Sequence, residues 1–494
     1  FNAVNCADAG FVAPRPEAAL PDMVYIDGVE QRQVTSLAQV VPGTFFADYP
    51  GNQMVLGVDP AGHTVEVAAR ERALQWSGTG SLTLRGIGFT QFAASLKKFG
   101  MVVVDATKGA AGTPVSVVVE NNVFGWSAGT GLMVKGDSTS KLAIQANQYV
   151  GNGFQGINGT NLANVTIDHD VARFNNAEQF EDSGTWGSAA GAKFVRSKNV
   201  TISNSEYSDN NATGFWFDIS NNGVRVVRSR FERNAVHGVY YEVSTNGVFA
   251  SNIISGNTSD GLRLSNATNV EVSHNTIVDN TNNLNIVDDL PTSTTDPNRC
   301  VSSLSVTCIA GNISVIGNLL VDTRGGVQPL YIVRDYNSSP RQSATAILAA
   351  SSGNVYARAI AGKPSASVQF WSATGVASNY ASAAAAAAAT GLEQNGADVS
   401  SQNLFSSSTD LVVQRTHPAA AVMSTLLPGS AAAMGASEAD TFSAGAVDWI
   451  GRVGDVTPPQ LADTNAIFDL STTFSGDADL SGSATLLEAS WSAA

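Results

Sequence analysis

Two short segments place acids where they could act together: Gly214-Phe-Trp-Phe-Asp218 and Gly238-Val-Tyr-Tyr-Glu242. In each, a glycine opens an alternating run and the fourth residue after it is a carboxylic acid. Side chains alternate sides along a β-strand, so Phe215 and Phe217 share one face, as do Val239 and Tyr241. Asp218 and Glu242 then point the other way, together with Trp216 and Tyr240. If the two strands are neighbours in a parallel sheet, the carboxyls fall roughly 5–6 Å apart. At that distance one acid can attack a carbon while the other gives up or removes a proton, as in retaining glycoside hydrolysis. Two acids this close also push each other's pKa values apart, leaving one ionised and one able to donate.

The same outward positions of flanking strands carry Lys193 and Arg263, suited to positioning hydroxyls or a substrate carboxylate. Trp216 and Tyr240 read as exposed aromatics on which a sugar ring could stack. His237 stands at the corner before Gly238, where it either bonds a substrate hydroxyl or caps the turn. Between Asn175 and Gly191 lies an insertion holding Glu178, Glu181, Asp182 and Trp186, expected to wall one side of a cleft. The stretch from Asp288 to Gly311 is a second excursion, expected to form the opposite wall. It contains Cys300 and Cys308, close enough to close a disulfide loop or to remain two thiols. Cys6 is left over.

The elements that must position these residues repeat. Val200, Val224, Val248 and Val270 recur about every 23 residues, and a glycine opens the strands at Gly131, Gly191, Gly214, Gly238 and Gly261. Asparagines recur at Asn152, Asn175, Asn210, Asn234, Asn257 and Asn280. Glycine and asparagine are read as corner residues that supply positive φ. Short strands, one sustained period and no crossover helices predict an all-β, right-handed parallel β-helix. Residues 1–75 are expected to form an N-terminal cap with the first strands, and 76–345 the β-helix carrying the site. Residues 346–494, where the period weakens into Ala- and Ser-rich sequence, hold irregular last rungs and a C-terminal cap.

Composition narrows the partners. With 42 acidic against 27 basic residues, the chain lacks the basic excess that a phosphate backbone attracts, so nucleic acid is excluded. No apolar run reaches membrane-spanning length. The chain begins at Phe1 rather than Met, as expected of one trimmed from a longer precursor. Asp477, Asp479, Ser481 and Glu488 follow the spacing of a calcium-binding loop, although a plain turn explains them too. Calcium is thus the one cofactor left open, and nothing decides between a monomer and a homo-oligomer.

With these residues in hand, the chain resembles the secreted β-helix carbohydrate-active enzymes of bacteria. The two glycine-led segments are most similar to glycoside hydrolase family 120, a β-xylosidase family. The resemblance covers mainly residues 120–290. It implies Asp218 as nucleophile and Glu242, one rung on, as acid/base, acting on a carbohydrate outside the cell. A second reading is a polysaccharide lyase or uronan epimerase, with Lys193 as base, Arg263 as carboxylate clamp and Glu178, Glu181 and Asp182 as calcium ligands. A third is a β-helix that binds carbohydrate without turnover.

Overall fold

The computed structural model describes residues 20–95, 100–107, 114–180, 188–289, 300–337, 340–407 and 411–446, with the backbone of 485–486. The repeat folds as expected into a right-handed parallel β-helix. Successive short strands pass in turn to three long sheets, so each strand pairs in parallel with the one a full coil away. In the sheet that carries the acids the order is Ala190–Val195, Thr213–Asp218, Val239–Glu242, Asp260–Ser265 and Asn282–Asp288. The register is in phase: Ala192 faces Phe215, Phe215 faces Val239 and Val239 faces Leu262. These residues, with Phe194, Phe217, Tyr241 and Leu264, fill the interior and are completely buried.

The asparagine column does something the sequence reading missed. Its members are not the corner residues. They point inward and form a ladder in which each side-chain oxygen accepts the N–H of the asparagine one coil earlier. Asn210 N–H donates to Asn234 Oδ1 at 3.1 Å, and Asn234 N–H to Asn257 Oδ1 at 3.0 Å. Each amide NH₂ closes the turn on a carbonyl, as Asn234 does on Tyr207 at 2.9 Å. The buried backbone at this corner is thereby satisfied in successive coils. Positive φ falls instead on the residue just before each ladder asparagine: Asp209, Arg233, Gly256 and Asp279.

The glycine column is coupled to this ladder and is not a set of corners either. A Cβ on Gly214 would lie 2.6 Å from the Gly238 carbonyl and 2.7 Å from Asn234 Nδ2. Glycine is required there because the ladder amide and the next coil's backbone occupy that space.

The ends depart from the repeat. Val24–Ile26, Val29–Val34, Thr44–Asp48, Gln53–Leu56 and Val65–Val67 make a small five-stranded sheet of mostly antiparallel pairs before the first coil strand, Leu74–Ser77. Coils continue through the Ala- and Ser-rich region as far as Ala397–Ser400. The following chain doubles back along the solenoid. Glu271 accepts N–H bonds from Gly429 and Ser430 at 3.1 and 2.7 Å, and Arg228 donates to the Met434 carbonyl at 2.7 Å. His274, buried, contacts Ser424 Oγ at 3.0 Å.

Candidate active site

Asp218 and Glu242 stand in adjacent coils of one sheet, immediately after the paired residues Phe217 and Tyr241. Their surroundings differ. Lys193 Nζ lies 2.9 Å from Asp218 Oδ2, with both side chains well covered, at 8% and 14% exposure. Glu242 receives the indole N–H of Trp216 on Oε2 at 3.0 Å. Burial, and then the neighbouring charge of Asp218, push the Glu242 carboxyl up to about 7; Lys193 and Tyr240 pull the other way. Glu242 is therefore the acid of the two that is placed to carry and exchange a proton near neutral pH.

The outward aromatics are not the open platform expected of them. Lys193 Nζ sits 3.3 Å from the centre of the Trp216 ring. Trp216 stacks on Tyr240 at 5.3 Å and 18°, and the Arg263 guanidinium caps Tyr240 at 5.3 Å. The four side chains occupy the same strand position in consecutive coils, so each ring face is filled by the next member of the column. Ring edges, and the indole N–H held by Glu242, are what this column presents. Such stacked cation and ring contacts contribute about 0.5–2 kcal/mol each.

Arg263 is also committed internally. It is ion-paired to buried Asp260 at 3.1 Å and to Asp289 at 3.0 Å, and donates to Ser265 Oγ at 3.1 Å. The role expected of it as a free substrate clamp does not match this geometry. His237 accepts the Asp260 backbone N–H on Nδ1 at 3.2 Å and sets its ring edge-on to Tyr240 at 5.1 Å. Burial holds its pKa down at about 4, so the ring is neutral. With Nδ1 accepting, its 3.4 Å approach to the Asp260 carboxylate is not an ion pair. This corresponds to the turn-capping alternative.

Of the second excursion, residues 300–311 are described. Val301 N–H donates to Ser220 Oγ at 2.9 Å, two residues beyond Asp218, and the Leu304 carbonyl accepts from Asn222 at 2.8 Å. Val243, next to Glu242, packs with Cys300, Val306 and Cys308. Cys300 and Cys308 are disulfide-bonded, with Cα atoms 5.6 Å apart. The excursion thus folds over the end of the strands that carry both acids. On the other side only the flanks of the insertion are described. Glu178 lies toward Tyr25 of the N-terminal sheet, whose hydroxyl feels its charge, while Glu181, Asp182 and Trp186 lie outside the described residues. So do Cys6, Asp477, Asp479, Ser481 and Glu488. Among the described residues no three metal-ligating side chains converge, and no helix is long and apolar enough to cross a membrane.

A family model described as right handed beta helix region matches residues 102–277 and 184–327. The matched residues lie within the right-handed β-helix described above. Among solved structures it is similar to a complex of XylC with xylose, at 14% identity and TM-score 0.45, covering 68% of this chain and 64% of that one. It is also similar to the periplasmic alginate epimerase AlgG, at 17% identity and TM-score 0.38, covering 53% and 60%. A third likeness is to pectate lyase Pel9A, at 14% identity and TM-score 0.29, covering 54% and 73%. The chain thus spans less than two thirds of the length of XylC and of AlgG. No curated protein sequence matches it.

Proposed function

We propose that this chain is a secreted glycoside hydrolase that acts on an oligo- or polysaccharide by a retaining, two-carboxylate mechanism. The observation that carries the reading is the unequal setting of two acids in adjacent coils. Asp218 is paired to an ammonium, and Glu242 is half-buried, bonded to an indole N–H and raised to about 7. An oxygen of Asp218 attacks the anomeric carbon while Glu242 passes its proton to the departing glycosidic oxygen, breaking that C–O bond. Glu242, now a carboxylate, takes a proton from water as the water oxygen displaces Asp218 from the anomeric carbon. The Cys300–Cys308 bond fits an oxidising compartment, which supports secretion.

Two observations weigh against elimination by Lys193. Its ammonium is held between Asp218 and the Trp216 ring, and the arginine that would clamp a uronate already serves Asp260 and Asp289. The test is product analysis over a panel of polysaccharides and aryl glycosides. Reducing ends without ultraviolet-absorbing unsaturated ends support hydrolysis. Unsaturated ends, or no product from any substrate while carbohydrate is bound, would overturn it.

A further inference from the structure

The strand position that holds Asp218 and Glu242 continues through Ser265 and Val287 to Arg334, in the strand Tyr331–Asp335. Three coils separate Arg334 from Glu242, about 14 Å along the solenoid axis. Between them Ser265 and Val287 are fully buried, and the Arg263–Asp289 ion pair is partly exposed. Lys193 and Arg263 both have acid partners. The Arg334 guanidinium has neither an ion pair nor a hydrogen bond among the described residues, and its Nε is buried without a partner. The acids nearest in charge, Asp260 and Asp289, hold Arg263 instead.

What Arg334 does contact is aromatic. Its guanidinium lies 4.7 Å from the centre of the Tyr336 ring, and Tyr336 meets Trp371 edge-on at 5.3 Å. Tyr336 is 45% exposed. A guanidinium held over a ring face has donors left for a carboxylate or sulfate, which its planar fork matches and lysine does not. Burial lowers its pKa, an effect that an incoming anion would offset, while the guanidinium stays charged throughout. An extended chain of linked sugar rings laid along the axis has a rise per ring close to the coil spacing of about 4.8 Å.

We propose that Arg334, Tyr336 and Trp371 form a distal subsite for a sugar unit bearing an anionic group, a carboxylate or a sulfate ester, three units from the acid pair. The substrate is then an anionic chain of at least four units. This rests on the reading that the acid face binds carbohydrate, but not on the chemistry performed there.

The test is calorimetric binding by the full-length chain carrying Glu242→Gln, alone and combined with Arg334→Met or Arg334→Lys. The probes are tetragalacturonate, a sulfated galactan tetrasaccharide, neutral xylotetraose and the corresponding disaccharides. Arg334→Met is expected to weaken binding of one or both anionic tetrasaccharides about 10- to 100-fold, with Arg334→Lys recovering it only in part. Neutral tetrasaccharide and all disaccharides should be unaffected, and which anionic probe responds separates carboxylate from sulfate. Equal binding by parent and Arg334→Met, or equal losses for neutral and anionic probes, overturns the subsite. A lowered melting temperature without a binding change would assign Arg334 to charge balance and overturn it too. Product analysis is read separately, so loss of anion binding without hydrolysis would refute the retaining mechanism and leave the subsite standing.

Discussion

Replacing Asp218 by Asn tests whether the two acids are coupled. The substitution keeps shape while removing the charge that, after burial, does most to raise Glu242. Two unit charges roughly 5–6 Å apart interact by about 3 kcal/mol at an effective dielectric near 20, a ceiling of about two pKa units. Lys193, 2.9 Å from Asp218, already cancels part of this. A fall of about one unit from the starting value of about 7 is therefore expected in Asp218→Asn. Burial remains, so Glu242 should still titrate above an exposed glutamate. Carbon NMR of side-chain-labelled glutamate, assigned by loss of the signal in Glu242→Gln, follows this residue through pH. An unchanged or higher titration point in Asp218→Asn would mean that the carboxyls do not sense each other, and the division of roles would lose its basis.

Other expectations concern the scaffold. Asp170 stands in a second inward column, after Asn122 and Asn147, taking bonds from the Asn147 amide at 3.2 Å and from the Tyr149 hydroxyl at 3.1 Å, and burial pushes its carboxyl up to about 7. An acid raised by folding retains its proton in the native state over a range where the unfolded chain has lost it. Its contribution is thus whole below about pH 4 and is lost as pH rises through about 7. Asp170→Asn should accordingly raise the melting temperature above pH 7, by the equivalent of up to about 4 kcal/mol, and change little at pH 4; equal effects at both pH values would contradict this. Replacing Cys300 and Cys308 by Ser opens a loop with a sequence separation of 8 and should cost about 2–3 kcal/mol of stability. Because that loop bonds to Ser220, the same variant should raise KM more than it lowers kcat in steady-state assays of any substrate found; a selective loss of kcat would argue that the loop supports the acids themselves.

The solenoid was legible because its alternation and period are direct consequences of one interior. Positions such as Phe215 and Phe217 must be apolar in every coil, and the acids then point outward by strand geometry alone. The ladder was not read, because an asparagine column fits both a corner and an inward amide stack. The glycines a few residues on, whose missing Cβ makes room for that amide, were the signal that could have separated them. Outwardness was also taken for exposure. Lys193, Trp216, Tyr240 and Arg263 do point outward, but side chains in one column lie within stacking distance and cover one another. That follows from the register and could have been inferred. The partners of Arg263 were half visible, since Asp260 directly precedes Gly261, whereas Asp289 belongs to an excursion without a period. The return of residues 411–446 along the solenoid follows no period: Leu426, Ala431 and Met434 pack on Val227, Val248 and Ala250, and Glu271 bonds to Ser430, without a repeat that would announce it.

The central claim is that Asp218 forms a covalent bond to sugar while Glu242 moves the proton. The most direct measurement is intact and peptide mass spectrometry of the Glu242→Gln chain incubated with aryl glycosides that carry fluorine in place of the hydroxyl beside the anomeric carbon. Their leaving group needs no acid, and without Glu242 water is not activated, so the intermediate should accumulate. One added glycosyl mass on the peptide containing Asp218, absent in Asp218→Asn, is the expected result. A label on another residue, or no label from glycosides whose unfluorinated forms the wild-type chain hydrolyses, would contradict the account.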